Sequence, residues 1–283
     1  MTELLLANEL TIRLAFFVGV LIVMMLWEAA APCRQDVTRV VRWTSNLGIV
    51  AVNTIVLRLV FPTAAVGFAA VAETQGWGLF TVIAVPGRVA FVVALVALDM
   101  AIYIQHVMFH AVPVLWRLHR MHHADLGFDV TTGLRFHPLE IILSMVFKIV
   151  VLAALGAPVA AVLVFEVVLN ATAMFHHGNV RLPRRLDALL RLVVVTPDMH
   201  RVHHSIVPAE TNSNFGFNIP WWDRLFGTYC AQPAAGHDKM TIGIEQFRGP
   251  RDQWLDRMLV QPMTGPASVY SINRPSERDK SED

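Results

Sequence analysis

Long apolar runs separated by short polar stretches dominate the chain. The first spans Leu10 to Leu26, with Arg13 near its entry; others cover Leu47 to about Ala70, Leu79 to about Ile104, and Leu139 to Phe175. A bilayer core takes about 20 apolar residues per helix, so each of the first three runs predicts one membrane helix. The fourth is interrupted by Gly156-Ala157-Pro158, a turn signal. It predicts a hairpin of two slightly short helices that either crosses fully or re-enters from one side. The expected fold class is all-α: a polytopic membrane helical bundle of three long helices plus a helical hairpin. Between about Val180 and Tyr229 the pattern becomes mixed, which predicts a histidine-rich cap of short helices and loops. From Pro262 the chain turns polar and ends RDKSED, which predicts a disordered tail over 262–283. Residues 1–261 are then expected to form a single domain, and no solenoid-type repeat is present.

Composition and charge sharpen this picture. The chain is 55% hydrophobic and 16% charged, with mean hydropathy +0.50, whereas ordinary soluble domains carry about 25% charged residues. A formal net charge of +1 and the lack of a basic stripe exclude nucleic acid as a partner. The opening MTELLLANEL holds two acids and no base, which argues against a cleaved signal peptide. The loop from Cys33 to Trp43 holds Arg34, Arg39 and Arg42, while Ala72 to Gly78 holds no basic residue. The positive-inside bias therefore puts the first loop in the cytoplasm. The third helix then runs inward, the hairpin starts and finishes inside, and the cap is expected to be cytoplasmic.

That topology gathers the histidines on one face. Eight of the twelve fall into three clusters: His106-x3-His110, His119-x2-His122-His123 and His200-x2-His203-His204. Residues three or four apart share a helix face, so each cluster is expected to aim its rings at one point. Neutral imidazole is a strong ligand for transition metals. Cys33 and Cys230 are the only cysteines, so any metal must be held by nitrogen and oxygen donors. Such sites suit iron, zinc, copper or nickel. Eight ligands exceed the needs of one ion and fit two ions sharing a cavity.

Other polar positions have two readings each. Asp99, within an apolar helix, either accepts a ring N–H from a ligand or pairs with Arg58 or Arg88. Glu166 and Asn170 either line the cavity or bond helix to helix. Arg120 and Arg201 lie on the helix surface or contact carboxylates or lipid headgroups. His237, without neighbours, is expected to face solvent. There is no GxSxG, HExxH, GxxxxGK or GxGxxG pattern.

The clusters and their surroundings resemble the fatty acid hydroxylase / sterol desaturase superfamily of membrane di-iron oxygenases, in particular its bacterial sterol-desaturase-like branch. Carrying the likeness are Asp99-x3-Tyr103-x2-His106, LWRLHRMHH (115–123), TTGLRFHPLE (131–140), HHGNVRLP (176–183), TPDMHRVHHS (196–205) and NFGFNIPWWDRLFGTY (214–229). It covers about Asp99 to Tyr229. The resemblance implies that His106, His110, His119, His122, His123, His200, His203 and His204 are metal ligands, joined by His177 ahead of Gly178-Asn179. It implies that His137 and Asn179 lie near the metals without binding them. His176 stands where this branch usually has another polar residue, and its role stays open. Also implied are two irons that activate dioxygen with two external electrons and oxidise an unactivated lipid C–H bond, giving an alcohol or an alkene. The electron donor, a reductase, ferredoxin or cytochrome, would act in trans, because the chain has no haem-binding or iron–sulfur segment. The implied location is a bacterial inner membrane. Substrates left open are a sterol or other terpenoid, an acyl chain, a polar lipid and a carotenoid. A metal-dependent hydrolase is the alternative, disfavoured because catalytic zinc usually takes three protein ligands. A metal transporter is less consistent still, since its ligands would line a path through the membrane core.

Overall fold

The structure, a computed structural model, describes residues 2–35, 39–265, 270 and 272. In chain order its α-helices are α1 (Thr2–Ala30), α2 (Arg39–Val60), α3 (Ala64–Thr74), α4 (Leu79–Val82), α5 (Gly87–Ala111), α6 (Pro113–His123), α7 (Pro138–Leu155) and α8 (Val159–His176). The cap adds α9 (Arg184–Leu190), α10 (Pro197–His203), α11 (Pro208–Thr211), α12 (Trp221–Leu225), α13 (Gly236–Lys239) and α14 (Leu255–Val260). Among the described residues there is no strand, only isolated bridges of Pro32 with Val180 and Ser205 with Ile242. Among the described residues five stretches are long and apolar enough to cross a membrane: Leu6–Ala30, Arg39–Val82, Gly87–Ala111, Pro138–Leu155 and Val159–His176. The chain is a polytopic helical membrane protein.

Several helix boundaries differ from those the apolar runs predict, and proline is the reason for two of them. The second run continues to about Ala70, yet α2 ends at Val60 because Pro62 has no N–H to donate and disfavours helix in the residue before it. The third run starts at Leu79, but only the single turn α4 forms there. Pro86 then N-caps the long α5, which extends to Ala111. At its other end α2 begins eight residues before the apolar run. Its early charge, Arg42, is buried against Asp125 and Asp129, so the helix is anchored to the segment between α6 and α7.

Small residues let the central helices approach closely. Ala65 and Ala69 of α3, Ala90 and Ala94 of α5 and Ala161 of α8 belong to one buried cluster, filled by Leu152 and Phe165. Between helices in lipid, where no water drives association, such close packing holds the bundle together. The α7–α8 hairpin turns through Gly156 at φ +67°, close against Gly78 at φ +91°, where an added Cβ would lie 2.0 Å from the Gly156 nitrogen. Helices of 18 residues run about 27 Å at 1.5 Å per residue, close to the thickness of a bilayer core.

Glu166 does not line a cavity. It pairs with Lys148 of α7 and lies 3.2 Å from Arg13 of α1, while Asn170 donates to the Glu166 carbonyl at 2.7 Å. This buried ion cluster ties three helices together. Glu166→Leu leaves buried Lys148 without its carboxylate, although Arg13 keeps Glu9 at 2.7 Å, and is expected to cost about 3–5 kcal/mol. The measure is a lower unfolding temperature in detergent, with much of the loss recovered when Lys148→Leu is added.

Packing also continues past residue 261, where a disordered tail was expected to begin. Gln261–Met263 forms a 3-10 turn, and Arg117 donates to the Pro262 carbonyl at 2.8 Å. Tyr270 is buried, stacked on Trp116 at 5.8 Å. Its aromatic ring and backbone carbonyl give this part of a polar segment something to pack and bond. Residues 266–269, 271 and 273–283 of the expected tail lie outside the described residues.

Candidate metal centre

Nine histidines converge where α5, α6, α8 and α10 meet. His106, His110, His119, His123 and His203 each bring one ring nitrogen to within 4.8 Å of the others, and His122, His177, His200 and His204 form a second such group. All nine are buried. His106 and His110 enter the same group, as expected, but the other two clusters do not each aim at one point. In HRMHH the first and third rings enter the first group and the middle ring enters the second. In HRVHH the first and third enter the second group and the middle ring the first. Helical geometry explains the split: at 100° per residue the i+4 side chain lies about 40° from the first, whereas i+3 lies about 60° away on the opposite side. Each motif thus serves both groups.

Six of the nine rings have an outer nitrogen held in one orientation, while His123, His200 and His204 have no hydrogen-bond partner there. His106 Nδ1 donates to the Phe215 carbonyl at 2.9 Å, His177 Nδ1 to the Ala173 carbonyl at 2.7 Å and His203 Nδ1 to the Ser213 carbonyl at 2.7 Å. His110 Nδ1 reaches Asn212 Oδ1 at 3.1 Å, His122 Nδ1 the Arg135 carbonyl at 3.3 Å, and His119 Nδ1 a Glu140 oxygen at 2.6 Å. A ring nitrogen facing an oxygen acceptor carries the proton, so in each ring Nε2 is left with a lone pair.

These lone pairs meet each other. His106 and His119 approach Nε2 to Nε2 at 3.2 Å, as do His122 and His177. His110 Nε2 and His203 Nε2 are buried without a partner. Burial, followed by the neighbouring imidazoles, holds His122, His123, His200, His203 and His204 well below the usual histidine range. Burial likewise lowers His177 to about 4. Neutral rings with opposed lone pairs repel one another unless a cation lies between them, and a transition metal satisfies that need. The donor set fits two metal ions.

Glu140 is a functional residue that the sequence reading did not single out, although it stood at the end of TTGLRFHPLE. Its second oxygen is buried without a hydrogen-bond partner. His137 N-caps α7: its Nδ1 accepts from the Leu139 N–H and its Nε2 donates to the Leu259 carbonyl at 3.2 Å. It therefore positions the turn that carries Glu140 and has no free nitrogen for a metal. The H-P-x-E spacing, with Pro138 at N1 and Glu140 in the first turn, was the available signal. Glu140→Leu removes the acceptor from His119 and is expected to weaken metal binding about 10–100-fold. Competition with a chelator for metal release checks this, and Glu140→Gln, which keeps an acceptor oxygen, should lose less.

The other expected positions have different partners. Asp99 accepts from Asn218 Nδ2 and Trp222 Nε1, both at 2.7 Å, so it reaches neither a histidine ring nor Arg58 or Arg88. The cap offered two donors closer than either arginine. Asn179 bonds to the backbone of Arg34 on both sides of its amide and faces no ring. Arg201 pairs with Asp198, and Arg120 donates to the Gln261 carbonyl at 2.6 Å; both are buried. His237 does not face solvent. Its side chain is only 14% exposed, with Nε2 4.0 Å from Asp198. His176 is buried with neither ring nitrogen partnered, its ring centroid 4.1 Å from that of His200, and it stands outside both groups.

A cavity of about 40 Å³ adjoins the centre, lined by His106, His119, His122 and His200 with Gln105, Glu140 and the rings of Phe109, Phe136 and Phe217. It accommodates the reacting part of a molecule rather than a whole lipid.

A buried, nitrogen-only, two-group centre at one end of a membrane bundle defines a class of histidine-rich membrane metal proteins. The family model for fatty acid hydroxylases matches residues 91–228, a stretch that holds all nine converging histidines, and the match supports the fatty acid hydroxylase superfamily as what this chain resembles. An ornithine lipid hydroxylase, OlsE, of Rhizobium tropici is 34% identical over 142 residues, covering 50% of this chain and 42% of that protein. An alkylglycerol monooxygenase of Danio rerio is 28% identical over 173 residues, covering 60% of this chain and 36% of that protein. The human alkylglycerol monooxygenase is 26% identical over 156 residues, covering 53% and 32%. The chain thus spans less than half the length of these relatives. No solved structure matches it.

Proposed function

We propose that this protein is an oxygen-dependent oxidoreductase that hydroxylates a C–H bond of a polar membrane lipid, with a single working domain that takes in the packed residues beyond 261, Tyr270 among them. The observation that carries the reading is the pair of histidine groups with inward lone pairs, one for each of two irons. His106, His110, His119, His123 and His203 would hold one iron, and His122, His177, His200 and His204 the other. When bound, such an iron pair supplies activation of dioxygen and oxidation of an unactivated C–H bond.

The chain's own residues do the rest. Backbone carbonyls, Asn212 and Glu140 keep the ring protons of His106, His110, His119, His122, His177 and His203 on the outside, so that these six rings need not reorganise when metal binds. Phe109, Phe136 and Phe217 exclude water from the adjoining cavity, and Gln105 and Glu140 put polar groups among its walls, which suits a carbon near a polar headgroup. The relatives act, by name, on an ornithine lipid and on alkylglycerols; a polar lipid is accordingly the substrate class proposed. Electrons come from a separate donor protein, and the site faces the cytoplasm from a bacterial inner membrane.

Comparative lipid mass spectrometry of cells with and without the gene tests this, together with metal analysis of anaerobically prepared protein. The expected result is about two irons per chain and the gain of one oxygen in one polar lipid class. Loss of two hydrogens instead would mean desaturation. Zinc alone, with turnover that needs no oxygen, would overturn the reading in favour of a hydrolase.

A further inference from the structure

We propose that the outward face of α9 and α12 is a platform inserted into the phospholipid leaflet on the histidine side of the bundle. Both short helices are inside out for a surface in water. In α9 the acid, Asp187, is buried and accepts from Thr196 at 2.6 Å, while Leu186 and Leu189 point outward, Leu189 with 64% of its surface exposed. In α12 the acid, Asp223, is buried and accepts from the Phe215 and Gly216 N–H groups at 2.7 and 2.8 Å. Trp221, Leu225 and Phe226 are exposed, Leu225 to 69%. A helix bathed in water turns its acid outward and its leucines inward. The inverse pattern on two neighbouring helices is that of a surface meeting lipid.

The two helices form one surface. Trp221 Nε1 donates to the Leu192 carbonyl at 2.6 Å, and Arg224 to the Arg191 carbonyl at 2.7 Å. That surface is continuous with the membrane-spanning belt: Trp222 bonds Asp99 of α5, and Phe226 stacks on Tyr103 of α5 at 5.5 Å. Both α5 residues lie within the span Gly87–Ala111. Exposed Arg184 and Arg185 on the first turn of α9 suit headgroup phosphates, and exposed tryptophan suits the interface. Continuity with the spans favours the leaflet over a partner protein as the occupant. The segment between α11 and α12 carries Phe217 into the cavity wall, so the platform lies along the route by which a lipid would reach the histidines.

The full chain with Cys33→Ser and Cys230→Ser, reconstituted in phosphatidylethanolamine/phosphatidylglycerol vesicles, provides the test. Nitroxide labels are attached at Leu189→Cys or Leu225→Cys, with Leu14→Cys on α1 as the membrane reference and Lys239→Cys as the aqueous one. Labels at 189 and 225 are expected to collide more with dissolved oxygen than with a water-soluble nickel complex, as at 14 and the reverse of 239. If both labels follow 239 while 14 keeps its membrane signature, the proposal is overturned and the patch belongs to a protein partner. An aqueous signature at 14 would overturn the membrane assignment itself, and the platform with it.

Discussion

His122→Ala or His203→Ala is expected to strip metal from one group and to reduce lipid oxidation by about 100-fold or more, since even the outer partners of ligands carry about 10–100-fold. His203 belongs to the first group and His122 to the second, so each variant tests a different half of the centre. The effect should be large because each inward nitrogen is a lone pair held there by a bond on the far side of its ring, from the Ser213 carbonyl and the Arg135 carbonyl respectively. Membrane insertion and helix content should be unchanged, because neither ring bonds one transmembrane helix to another. Metal analysis alongside circular dichroism checks both halves of the expectation. Full metal content in either variant would remove that residue from the ligand set.

The second large effect concerns stability. Asp125 lies at the centre of a buried network: it receives Arg42 and, at 3.2 and 2.9 Å, Asn46 and Thr132, with Arg135 3.9 Å away. Burial by itself raises its carboxyl, yet Arg42 and Arg135 hold it well below the usual carboxylate range. Asp125→Ala leaves two guanidinium groups buried beside an empty site and is expected to cost about 3–5 kcal/mol. Metal content should fall as well, because Arg135 also supplies the carbonyl that orients His122. A depressed carboxyl contributes stability above the unfolded value of about 3.9 and loses it as pH falls toward the folded value. Wild type should therefore weaken below about pH 4 where the variant, already lacking the group, weakens less. Thermal unfolding in detergent across that range checks the sign.

Several features of this protein were legible before any coordinates. Apolar runs longer than a bilayer is thick have only helix available to them, since lipid offers no partner for a bare backbone group. The histidine spacing, with just two cysteines, confined any metal to nitrogen and oxygen donors. The arginines of the first loop and the empty second loop placed all clusters at one end. Each of these depends on residues near one another in the chain, or on composition, and so survives without knowledge of packing.

What tertiary structure alone decided involves partners far apart in sequence. HxxHH divides between two groups because helical angle sends its middle ring one way and its outer rings another, toward partners on α5, α8 and α10. Glu140 became recognisable only when α7 brought it against His119, and Asp99 found cap donors more than a hundred positions away in place of an arginine. Arg42 could start a helix ahead of its apolar run because Asp125 and Asp129 were folded over it. Local pattern dictates which element forms and which chemistry it carries. Which lone pair faces which proton is set by convergence of distant segments, and no short stretch of sequence encodes that distance.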